Sequence, residues 1–144
     1  MKKLHIILTI FVSLLVFYLQ VVDGIISEKP TTKNLNLEVY KSNDYSSAIY
    51  NDASAKICIT ITKVSRKSRI TIWTKTFDAI QLKQYPSIEN PLLQKVAIAN
   101  VVDSKEHLEI LSTIMYYNNG SVLEIKDGAL LSKGAKGGTL IILI

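Results

Sequence analysis

The sequence predicts an all-β domain, an antiparallel β-sandwich. Three observations predict it. Residues 25–144 are rich in β-branched side chains, with 17 Ile, 6 Val and 9 Thr. Such side chains are stiff at the first torsion and fit a pleated surface. Apolar and polar residues alternate with period two in several segments, the pattern of a strand with one face inward. Turn signals separate those segments at short intervals, and no internal repeat or long low-complexity linker interrupts them.

The chain opens MKKLHIILTIFVSLLVFYLQVVDG. Lys2 and Lys3 precede an apolar run from Leu4 to Val22, which ends at Asp23 and Gly24. This is the layout of a secretory signal peptide, with cleavage expected after Gly24. The alternative is a retained anchor, because the 19-residue run is close to the roughly 20 residues that span a bilayer. Either reading exports residues 25–144, and membrane contact is expected only through residues 4–22 if the segment is kept. Residues 25–33 read as a flexible lead-in and residues 34–144 as a single domain.

In NLNLEVYK, Leu35, Leu37 and Val39 share a face. In KICITITKV, Ile57, Ile59 and Ile61 share one face, and Cys58, Thr60 and Thr62 the other. RITIWTKTF and KVAIANV alternate in the same way, with PSIENPLLQK between them as a proline-bounded loop. DSKEHLEILSTIMYYNNG is ambiguous. Asp103 and Glu106 resemble a helix capping pair, whereas STIMYY favours a strand, and residues 104–117 are assigned as strand. GSVLEIKDGALLSKG reads as two short strands hinged at Asp127-Gly128, since Asp-Gly suits a tight hairpin. Gly134, Gly137 and Gly138 read as a flexible basic turn with Lys133 and Lys136. TLIILI at the end reads as an inner strand buried on both faces. The last third is therefore expected to be a meander of close hairpins. The whole amounts to about seven or eight strands, an immunoglobulin-like sandwich.

The composition argues against several chemistries. Residues 25–144 carry 15 Lys+Arg against 11 Asp+Glu, a net of +4. That is too mild for nucleic-acid binding as the main task. Cys58 is the single cysteine, so no internal disulfide forms, and its strand context predicts a buried thiol. Beyond residue 24 the one histidine is His107, flanked by Lys105, Glu106 and Glu109 without a nucleophile motif. No metal-ligand spacing and no glycine-rich phosphate loop is present. No catalytic residue, metal or cofactor is assigned.

Three surface features are left. EVYKSNDYSSAIYNDASA places Tyr40, Tyr45 and Tyr50 among Ser, Asn and Asp, a mixture suited to binding loops. KVSRKSR places Lys63, Arg66, Lys67 and Arg69 around one turn, a grip for phosphate or sulfate. Such a run also keeps a hairpin tip soluble. Asn119-Gly120-Ser121 fits the N-glycosylation pattern and equally a hairpin turn. The expectation is an exported, non-enzymatic sandwich that binds a protein or glycan surface. The alternatives are an assembly subunit that joins others by strand pairing and a small carboxylate-based hydrolase.

Overall fold

The computed structural model describes residues 29–144; the expected signal or anchor segment lies outside the described residues. Seven strands follow in order: β1 (Thr31–Tyr40), β2 (Ser54–Val64), β3 (Arg69–Gln81), β4 (Leu92–Val101), β5 (His107–Asn118), β6 (Ser121–Leu131) and β7 (Gly137–Leu143). They form a three-stranded sheet in the order β4-β1-β7 and a four-stranded sheet in the order β3-β2-β5-β6. The two sheets pack together as a β-sandwich around one core.

Alternation builds that core. Leu35, Leu37 and Val39 of β1 bury one face, as do Ile57, Ile59 and Ile61 of β2. Val96 and Ile98 of β4, Leu108, Ile110 and Ile114 of β5, and Ile142 of β7 complete it. Each fully buried side chain of this kind contributes roughly 1.5–3 kcal/mol. Tyr85 adds a polar tie: its hydroxyl donates to the Ala55 carbonyl at 2.8 Å. Burial pushes its hydroxyl pKa up to about 12.

Several expectations are corrected. β1 begins at Thr31, so residues 31–33 belong to a strand and not to a lead-in. Lys33 points inward, only 2% exposed, with its ammonium held by the Asp103 carboxylate. The strand assigned to residues 104–117 is present as residues 107–118, whereas the helix capping pair has another use. Glu106 turns back to accept a hydrogen bond from Val102 N at 2.8 Å, which closes the β4–β5 turn. Asp127-Gly128 is no hairpin: β6 runs straight through it in register with Ser112 and Leu111 of β5. The positive φ angles of a tight turn occur instead at Asn119 (48°) and Gly120 (79°), where β5 turns into β6. Gly137 and Gly138 lie inside β7, and of the three glycines expected in that turn Gly134 alone has a positive φ.

β7 is also not an inner strand. It is an edge, and it runs parallel to β1, so the three-stranded sheet is mixed. The 132–136 connection crosses from one sheet to the other, so β6 and β7 are not a hairpin pair. Ile142 and Ile144 are buried, whereas Ile141 and Leu143 are 48% and 49% exposed. Gly137 permits the close approach to β1, since a Cβ there would lie 2.1 Å from the Asn34 carbonyl oxygen. Cys58 faces outward, half-buried, with the Thr76 hydroxyl 3.6 Å from its sulfur.

Candidate functional site

Both ends of the sandwich carry a hollow. At one end the β2–β3, β4–β5 and β6–β7 turns surround a cleft of about 570 Å3 lined by Ser65, Arg66, Lys67, Ser104, Lys105 and Lys133. Each turn has its own local cause. Ser65 folds the β2–β3 loop on itself: its hydroxyl accepts from Lys67 N at 3.3 Å and from Ser68 N at 3.1 Å. Its own amide donates to Ser68 O at 2.8 Å. This fixes the backbone between Val64 and Arg69, on which Arg66 and Lys67 are carried outward. The Glu106–Val102 closure sets the loop that carries Lys105. Gly134, with φ of 79°, turns the loop that carries Lys133.

The four cations of the KVSRKSR run separate into two kinds. Lys63 donates to Asn100 O at 3.1 Å and lies 3.5 Å from the Glu106 carboxylate. Arg69 meets Glu109 through both terminal guanidinium nitrogens. These two are structural pairs and do not line the cleft. Arg66 and Lys67 line it, and among the described residues no carboxylate pairs with them, with Lys105 or with Lys133. Four cations from three loops thus face one space without a counter-charge of their own. Sequence reading does not join Lys105 and Lys133 to this site: Lys105 is the one cation of its loop, and Lys133 reads only as part of a basic turn with Lys136, far along the chain from Arg66.

The lining contains no aromatic ring. It offers no platform for stacking a sugar or a base, and its chemistry is that of charge and hydroxyl donors. His107 sits nearby, half-exposed, with Nε2 3.5 Å from a Glu109 oxygen that Arg69 already engages. Among the described residues, no three of His, Cys, Asp and Glu are grouped to hold a metal ion.

The tyrosines lie at the other end, since β2 begins beside them at Ser54 and ends at the cleft. Tyr45 is 8% exposed and belongs to the core, edge-on to Tyr50 at 5.0 Å between ring centroids. Tyr45, Tyr50, Tyr116, Leu123 and Ile125 help to line an apolar groove of about 380 Å3. Burial raises the Tyr116 hydroxyl pKa. Asp44 accepts from Ser46 N at 3.1 Å and from the Ser46 hydroxyl at 2.7 Å, which holds its carboxyl pKa down and shapes the loop before Tyr45. Tyr40 ends β1, half-buried, and does not line the groove. The structure therefore does not gather the three tyrosines and the basic run into one surface. Comparison with protein-family models, with curated proteins and with solved structures finds no match for this chain.

Proposed function

We propose that this chain is an exported, non-enzymatic binding module that holds an anionic glycan at the basic end of its sandwich. One observation carries the reading: Arg66, Lys67, Lys105 and Lys133 converge from three loops without carboxylate partners. A cluster of unpaired cations is costly to hold together and is relieved by an anion. The ring-free lining favours sulfate or phosphate substituents over neutral sugar faces. The N-terminal layout supports export, with the mature chain starting at Ile25. We read the sandwich as immunoglobulin-like, because the β2–β3 and β5–β6 pairs share one sheet while β4 crosses between them to the other.

The test is retention on a sulfated polysaccharide matrix, eluted with salt, beside the same polymer with its sulfates removed. The protein is expected to be retained only by the sulfated polymer. Each of Arg66→Ala, Lys67→Ala, Lys105→Ala and Lys133→Ala should elute at lower salt, and the quadruple variant should pass unretained. Retention of the quadruple variant equal to the native chain refutes the site.

A further inference from the structure

The sheet edges differ in how they are guarded. β3 carries Arg69, Lys75 and Asp78, and its register with β2 is broken by irregularities. β4 carries Lys95, and β6 carries Glu124, Lys126 and Asp127. Charges and bulges on an edge hinder pairing with other chains. β7 has neither. Gly137–Leu143 holds no charged side chain and no proline, and its register with β1 is unbroken.

Hydrogen bonds fix which backbone groups of β7 are free. Lys136 O accepts from Asn34 N at 3.2 Å, and Ile144 N donates to Tyr40 O at 3.0 Å. The even-numbered residues therefore turn their N–H and C=O toward β1. Backbone direction alternates along a strand, so Gly137, Thr139, Ile141 and Leu143 turn theirs away from β1. Among the described residues, no strand takes them up. Ile141 and Leu143 also leave apolar side chains exposed on the outer face.

We infer that β7 is a self-assembly edge, pairing antiparallel with β7 of a second copy of this chain about a two-fold axis at Leu140. This register sets Thr139 against Ile141 of the copy and Gly137 against Leu143. All four outward residues are then used, and four pairs exchanging two bonds each give about eight hydrogen bonds. A slip along the strand leaves some of them unpaired. Charge selects the same geometry. Lys133 and Lys136 stand where β7 begins, at the end that carries the cleft. Parallel pairing would set two basic ends side by side, whereas antiparallel pairing separates them by the length of the strand, roughly 20 Å. An isologous contact of this kind closes at two copies. The inference rests on the edge alone and stands whether or not the basic cleft binds an anion.

Sedimentation of the isolated chain across a concentration series tests it, with detergent where residues 1–24 are retained. The native protein is expected at twice the chain mass. Ile141→Lys places a charge on the edge, and Thr139→Pro removes an outward N–H without touching the bonds to β1. Both should sediment as folded single chains, and any fall in their unfolding temperature should be no more than the lost association explains. In a Cys58→Ser background, Leu140→Cys should cross-link two chains on mild oxidation, because directly opposed residues of a non-hydrogen-bonded pair lie about 4.5 Å apart at Cα. Leu143→Cys, facing glycine, should not. If either edge variant fails to fold, the cross-linking pattern decides. A native protein that stays single at every concentration overturns the inference. So does a dimer that survives both edge variants, an assembly larger than two, or absence of the Leu140→Cys cross-link.

Discussion

Removing the Asp103 carboxylate should cost the domain far more than removing its partner. Lys33 projects from the central strand of the three-stranded sheet, and its side chain is 3% exposed, against 28% for Asp103. Asp103 also accepts from the Thr31 hydroxyl at 3.3 Å. Asp103→Ala strands an ammonium group in a space that water hardly reaches. Breaking a buried pair in this way costs about 3–5 kcal/mol. Partial solvation of the Asp103 side places the expected loss near the lower bound, about 3 kcal/mol. That is a large share of the roughly 5–15 kcal/mol that holds a typical domain. Lys33→Met removes the buried charge and keeps the apolar stem, leaving a carboxylate that water can reach, so its cost should stay under about 1.5 kcal/mol. The double variant Lys33→Met with Asp103→Asn should recover most of the loss seen for Asp103→Ala. Urea unfolding read by fluorescence supplies the measurement, since Trp73 is the single tryptophan and packs against the core. Equal and small losses for both single variants, under about 1 kcal/mol, would show a pair behaving as an exposed one and would refute this reasoning.

Other outcomes follow from the same geometry. Tyr85 titrates at about 12 when folded and near 10 when unfolded, so folding favours its protonated form. The stability this contributes is complete below pH 10 and is lost as the pH rises toward 12. Alkaline unfolding should therefore be steeper for the native chain than for Tyr85→Phe, which should also lose about 1 kcal/mol at neutral pH with its hydrogen bond to Ala55 O. Gly137→Ala should detach the start of β7, because the added Cβ meets the Asn34 carbonyl; faster amide exchange at Asn34 would report it. Arg69→Ala removes an exposed pair with Glu109. It should change stability by at most about 1 kcal/mol and leave retention on the sulfated matrix nearly unchanged, unlike Arg66→Ala.

The strands that bury one face were legible in the sequence, because Leu35, Leu37 and Val39, or Ile57, Ile59 and Ile61, need no distant information to declare a side. Misreadings arose where a local signal served another purpose. Asp127-Gly128 has the composition of a turn, yet pairing with β5 along its whole length holds it extended. Glu106 has a capping residue's spacing, yet it closes a turn between strands. TLIILI could not reveal its own place in the sheet, since an edge strand and an inner strand can share one composition. The site divides in the same way. Arg66 and Lys67 are neighbours in sequence and were visible together. Lys105 and Lys133 join them only through topology, and Lys63 and Arg69 drop out only because Glu106 and Glu109 reach back across tens of residues.

The position of β1 has a consequence for biogenesis. Among the described residues it is the first strand to be made, yet it is the middle of its sheet, and its neighbours are β4 and the last described strand, β7. Asn34 meets Gly137, a separation of 103 residues along the chain. Contacts this distant close slowly, because the intervening chain must be ordered before they form. β1 therefore leaves the ribosome without a partner and stays unpaired on one side until nearly the whole domain has been synthesised. A chain so arranged has no complete three-stranded sheet until its last strand has been made. A product that ends before β7 lacks Ile142 from the core and leaves one side of β1 unpaired.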